Sequence, residues 1–131
     1  MSTAIVSRST TFVKSGAGQN WPISFDTEIV NDNGMHSQTT NPSRITIPTD
    51  ARYEMAYVVP AGSPSPFGSL ILLKNGAALG QKFVLSGSAP TAAHLVDPAV
   101  AGDYYEVALY IPGLGPYTVA AGLRFSVAPI P

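Results

Sequence analysis

The sequence predicts an all-β sandwich, and three observations carry that prediction. Twelve glycines and twelve prolines divide the 131 residues into short pieces, and almost no Gly/Pro-free stretch shows the 3.6-residue periodicity of an amphipathic helix. Several of the remaining pieces alternate apolar and polar residues with the period of two that belongs to a half-buried strand. Asn75-Gly76 and Gly102-Asp103 stand where tight turns between antiparallel strands are expected.

In chain order, an opening strand is expected around Ala4 to Val13 and a second around Ile23 to Ile29. The stretch Val30 to Ser43 is rich in Asn, Asp, Ser and Thr and reads as a polar loop. Ile45 and Ile47 share a face of a short strand that Pro48 ends. The alternation is clearest in Arg52 to Val59, where Tyr53, Met55, Tyr57 and Val59 fall on one side. Pro60 to Pro66 holds too many prolines to join a ladder. Leu70 to Lys74 is nearly continuous apolar sequence, as in a strand covered on both faces, and Leu79 to Ser86 returns antiparallel after the Asn75-Gly76 turn. Thr91 to Val96 also suits a helical turn through Ala92, Ala93 and Leu95, but Pro90 and Pro98 bracket it so closely that a strand is favoured. Tyr104 to Ile111 and Ala121 to Ala128 complete the set. Roughly eight to ten short strands at this spacing imply a sandwich of the jelly-roll or immunoglobulin type.

The length suits one domain, 1–131, with residues 1–20 as an N-terminal strand or arm. Hydrophobic residues make up 45% and charged residues 11%, against about a quarter charged in ordinary soluble domains. So few charges imply that part of the surface is covered by other copies or by a partner. Net charge is -1, and Arg8, Lys14, Arg44, Arg52, Lys74, Lys82 and Arg124 are scattered along the chain, which argues against a nucleic-acid groove. No stretch approaches the about 18 apolar residues of a membrane span, and no export signal of the usual kind opens the sequence, so it reads as made in the cytoplasm. The absence of cysteine excludes disulfides, thiolate metal sites and a Cys nucleophile.

Asp26, Glu28 and Asp32, beside Asn31 and Asn33, are the candidate oxygen ligands for Ca²⁺, but their spacing matches no calcium loop, and a solvated strand edge with Asp26 and Glu28 on one face is the commoner explanation. His36 and His94 have no second ligand at zinc spacing. No Gly-x-Ser-x-Gly elbow is present, and Gly16-Ala17-Gly18 lacks the lysine of a phosphate loop. The sequence therefore predicts no catalytic residue, cofactor or metal. The aromatics carry more weight. Tyr53, Met55, Tyr57, Tyr104, Tyr110 and Phe125 lie on expected strands and are candidates for a subunit interface, with sandwich core as the competing assignment for each tyrosine and for Phe125.

An ordered series of segments resembles one known family. It runs from Trp21-Pro-Ile-Ser-Phe-Asp-Thr-Glu-Ile-Val-Asn-Asp32 through Ser43-Arg-Ile-Thr-Ile-Pro48 to Arg52-Tyr-Glu-Met55, then Leu73-Lys-Asn-Gly76, Ala101-Gly-Asp-Tyr104 and Arg124-Phe-Ser-Val127. The set is similar to C1q/TNF-like jelly-roll domains, above all to their short phage and bacterial relatives. Ala51-Arg52-Tyr53 departs from the Gly-x-Tyr usual at that point. The resemblance implies a homotrimer of antiparallel jelly rolls that binds without catalysis. With no collagen-like tract and no coiled-coil heptads, the free-standing domain resembles the decoration, or cement, proteins of phage heads. Its expected partners are its own copies and the major capsid protein, its expected place the virion surface. The alternatives are a receptor-binding or tail-fibre module reading a host glycan through Val30 to Ser43 or Pro60 to Pro66, and, more remotely, a metal-dependent enzyme on a related jelly roll.

Overall fold

The computed structural model describes residues 2–131; Met1, part of the N-terminal segment, lies outside the described residues. Among the described residues twelve strands follow one another: β1 (Ala4–Ser7), β2 (Phe12–Lys14), β3 (Gln19–Pro22), β4 (Thr27–Asn31), β5 (Ile45–Thr46), β6 (Ala51–Val59), β7 (Ser69–Lys74), β8 (Ala77–Val84), β9 (Thr91–Ala99), β10 (Tyr104–Ile111), β11 (Tyr117–Val119) and β12 (Arg124–Pro129). One sheet has the order β4-β1-β12-β6-β9, and the facing sheet the order β3-β10-β7-β8 with β5 also on β10. A short β2-β11 ladder closes one end. All pairs are antiparallel, and the crossing order is that of a jelly roll.

The longest alternation is realised as expected. Tyr53, Met55, Tyr57 and Val59 all point inward with exposures of 0 to 3%, and the opposite sheet meets them with Leu70, Leu72, Tyr105, Val107 and Leu109. Asn75 and Gly76 both take positive φ, 51° and 85°, the backbone that a two-residue hairpin between right-twisted strands requires. Thr91 to Val96 is indeed a strand and continues to Ala99. It alternates Thr91, Ala93, Leu95 and Ala99 inward with Ala92, His94 and Val96 outward, which a helix would not do.

Three boundaries differ from the sequence reading. The opening strand is broken by Arg8–Thr11, whose carbonyls at Thr10 and Thr11 are gathered by the Arg8 guanidinium, so β1 and β2 belong to different ladders. Ile23 to Asp26 is a crossing between sheets: Ile23 and Phe25 fill the core at 0 and 1% exposure, and the ladder resumes only at Thr27. β3 and β11 were invisible to periodicity because each is short and carries Pro22 or follows Pro116.

The N-terminal segment is integral to the sandwich. β1 lies between β4 and β12 with Ala4 and Val6 at 0% exposure, so it is unavailable as a reaching arm. The total accessible surface is 6181 Å², close to the about 6,600 Å² that size scaling gives for one compact chain of this mass. A single copy is therefore as compact as its mass predicts.

Candidate binding surfaces

The three carboxylates offered as calcium ligands point apart. Asp26 accepts from the Ser9 amide at 3.0 Å and the Ser9 hydroxyl at 2.5 Å, and the Ser9 hydroxyl above all holds its carboxyl below the usual range. Asp32 accepts the Thr3 amide at 3.0 Å. Glu28 pairs with His36, Oε2 to Nδ1 at 2.7 Å, while the other ring nitrogen lies 2.7 Å from the Pro42 carbonyl. Asn31 clasps the His36 backbone through both its amide atoms at 2.9 Å. His36 is thus the pin of the 32–44 loop, a role the sequence did not signal because its partners are eight residues back and six ahead. Among the described residues no three His, Cys, Asp or Glu side chains converge as a metal site, and neither histidine hydrogen-bonds a serine or threonine hydroxyl.

The interface candidates divide. Tyr53, Met55, Tyr57 and Phe125 are core residues, a correction to their assignment as contact residues: each is at most 3% exposed within one copy. Tyr57 donates to the Leu70 carbonyl across the sandwich at 3.2 Å, Tyr53 to the Thr49 carbonyl at 2.7 Å, and Phe125 stacks on Phe25 with centroids 6.0 Å apart. Burial pushes the Tyr57 phenol well above its ordinary value. Tyr104 and Tyr110 do reach the outside, on the outer face of the β10 sheet, but each lies beneath a cation: Arg44 is 3.9 Å from the Tyr104 ring centre and Lys82 3.7 Å from that of Tyr110. Between them Ile71, Leu73 and Ala108 are buried without help from the main core.

Two other surfaces are open, an apolar groove and a sheet face of mostly small residues. The sandwich gapes on one flank, where the edge strands β8 and β9 stand apart. The resulting groove of about 220 Å³ is lined by Met55, Tyr57, Leu72, Leu79, Phe83 and Leu95, among others. Next to it, the outward face of the β4-β1-β12-β6-β9 sheet presents the row Ile5, Ser126, Ala56 and His94. A shallow recess lies over Ala56, Ser126 and Ala128, flanked by Glu54 and His94. Small side chains here follow from the alternation: every large apolar residue of β6 and β12 is spent inward, leaving the even-numbered positions to Ala, Ser, Glu, Arg and Val58. Leu79 and Phe83 were read only as part of a returning strand. Their one signal is that they stand four residues apart, on one face of a strand that also ends in Val84. The 32–43 loop carries no Phe, Tyr or Trp, so it forms no aromatic platform for a sugar, and beside Pro60 to Pro66 only Phe67 is exposed.

Solved structures share this arrangement over the whole chain. The globular domain of zebrafish complement 1qA protein superposes with a TM-score of 0.72 at 14% identity, covering 100% of this chain and 98% of that one. The fold is a C1q/TNF-like jelly roll. Murine APRIL (0.67, 9% identity, 96% and 97% covered) and pika GITRL (0.61, 14% identity, 99% and 97% covered) have the same jelly roll. At these identities the likeness concerns the fold alone. No protein-family model and no curated protein matches the sequence.

Proposed function

We propose that this jelly roll is a structural, non-catalytic protein that closes into a homotrimer and decorates a phage head, binding the assembled lattice of the major capsid protein at the virion surface. The observation that carries the reading is the pairing of an apolar open groove between β8 and β9 with an adjacent sheet face of small, mostly uncharged residues. Two different patches on one chain make a head-to-tail contact, and such contacts close into a ring when the rotation allows. Leu79, Phe83 and Val96, at least partly exposed in one copy, are covered when β8 and β9 of one subunit pack on the Ala56 face of the next. The low charge content supports the same arrangement, because identical charges near a three-fold axis repel. The ordered likeness of the sequence to short phage domains of this fold supports the capsid as the larger partner.

A trimer that binds only the assembled lattice stabilises it with the logarithm of its occupancy, and three linked contacts make weak individual ones strong. The test has two parts. Light scattering should give the mass of three chains, and purified protein added to heads assembled without it should raise their melting temperature. A monomer at micromolar concentration, or heads whose melting does not change, would sink the proposal.

A further inference from the structure

The two ends of the sandwich are chemically unlike. At one end the segments 8–11, 60–68, 85–90, 112–116 and 120–122 form one continuous surface. Ser63 ties three of them, donating its amide to the Ser86 carbonyl and accepting the Ala120 amide on its hydroxyl, and the Gly122 amide bonds the Arg8 carbonyl. Apolar side chains project from this end: Leu114 is 91% exposed at a tip between Gly113 and Gly115, Val84 65% and Phe67 41%. Arg8, Lys14, Lys82 and Arg124 surround it, and Asp26, held by Ser9, is its one carboxylate. The rest of the molecule has the opposite balance, three basic against seven acidic side chains. Both chain ends lie at that far end: Thr3 is bound to Asp32, and the Ile130 amide to the Arg52 carbonyl.

We propose that the Leu114 end is the face that seats this protein on its larger partner, and that the partner presents an acidic protein surface with an apolar recess for Leu114. The inference rests on the capsid reading and deepens it by choosing the docking end. Exposed leucine and phenylalanine supply contact area, and the surrounding cations supply orientation and association rate, which makes binding salt-sensitive. Because the termini are at the far end, an added domain there is tolerated.

The test uses heads assembled without the protein, with binding followed by co-sedimentation at several salt concentrations. Wild type binds, more weakly as salt rises. Leu114→Asp and the double variant Lys14→Gln, Lys82→Gln each weaken binding by about tenfold or more, with mass and melting temperature unchanged. Val100→Asp, at the far end and 56% exposed in the starting protein, and a fluorescent-protein fusion at the N-terminus bind within about twofold of wild type. Normal binding by Leu114→Asp, or its loss in Val100→Asp, overturns the choice of end while leaving the decoration reading intact. Failure of wild type to bind removes the capsid reading and this inference together. Wild-type binding to phosphatidylserine vesicles that Leu114→Asp abolishes would assign the surface to a lipid and overturn the protein partner.

Discussion

Inward and outward residues of the same strands should respond to mutation in opposite ways, and Phe125 and Ala56 make the sharpest pair. Phe125 is fully buried against Phe25, and truncating a buried Phe to Ala costs about 3–5 kcal/mol in lost transfer energy and cavity. For a chain of this size that is a fall of about 10–20 °C in melting temperature. Ala56 sits on the outer face, paired with Ser126 on one side and His94 on the other. Ala56→Asp costs the isolated fold only about 1 kcal/mol of strand preference. Buried without a partner between subunits, each new carboxylate costs several kcal/mol, once per subunit.

The assay is thermal unfolding by circular dichroism with light scattering on the same samples, at two protein concentrations. Phe125→Ala is expected to melt early, and its folded fraction to retain the wild-type mass. Ala56→Asp is expected to be a folded monomer whose melting no longer depends on concentration. A Phe125→Ala protein that melts like wild type but falls apart into monomers would show that the inner face of β12 meets another copy. An Ala56→Asp protein that keeps the mass of three chains would exclude the outer face as the interface.

Three further perturbations are read directly from the packing. A Cβ at Gly68 would sit 2.7 Å from a Leu109 methyl and 2.9 Å from the Tyr110 carbonyl. Gly68→Ala should therefore destabilise by about 1–3 kcal/mol, measured by urea unfolding, and an unchanged midpoint would show that the β7 entry is free to move. His36→Ala leaves the Glu28 carboxylate and Pro42 carbonyl without their donor in a buried site. A loss of about 2–4 kcal/mol and faster proteolysis at Ser37 to Asn41 are expected, and wild-type protease resistance would refute the pin. Asp26 titrates below its unfolded value because Ser9 donates to it. Its contribution is therefore full above the ordinary carboxylate range and is lost as pH falls through the lowered folded value. Asp26→Asn should lower the neutral plateau by that contribution and so flatten the acid side of the stability-pH curve; an unaltered acid slope would argue against this linkage.

The sandwich was legible wherever burial is one-sided over many residues. β6 spells its faces in the alternation of Tyr53, Met55, Tyr57 and Val59 with Arg52, Glu54, Ala56 and Val58, because a one-residue slip would put all four large side chains in water. The β7-β8 turn was legible because Asn-Gly chemistry is specific to it. The short β3 and β11 were not, since they have four and three residues, too few for a period to register, whereas β5 showed through the Ile45–Ile47 pair before Pro48. Four of the interface candidates, Tyr53, Met55, Tyr57 and Phe125, proved to be core for a physical reason. Alternation tells which residues share a face, whereas which face is turned to the opposite sheet depends on the partner strands. Tyrosine suits either environment, and here the Tyr53 and Tyr57 hydroxyls find backbone carbonyls inside the sandwich. The groove could not be read at all, because it depends on the spacing of β8 and β9, brought side by side by the packing of the two sheets.

The scarcity of charge has a more specific meaning in the folded chain than in the composition. Few as they are, many charged side chains are spent on holding loops: Lys74 joins Asp97 at 2.7 Å and lies 3.8 Å from Asp103, Arg44 lies near the Glu106 carboxylate, which Ser43 also caps at 2.5 Å, and His36 takes Glu28. These groups sit at the rims of the sandwich or on the face that carries Tyr104 and Tyr110. The flank formed by β9, the groove side of β8 and the Ala56 face retains Glu54, Arg52, Arg124 and His94, and of these Glu54 and His94 lie 3.6 Å apart as their own pair, whereas Lys82 turns away over the Tyr110 ring. Subunits approaching along this flank would therefore desolvate few ions, which keeps the electrostatic cost of burying it small. The same distribution leaves unpaired cations around Leu114, where a partner of opposite charge gains most. A sparsely charged side for like copies and a cationic end for an unlike partner is the division of labour that the proposed trimer on a lattice requires.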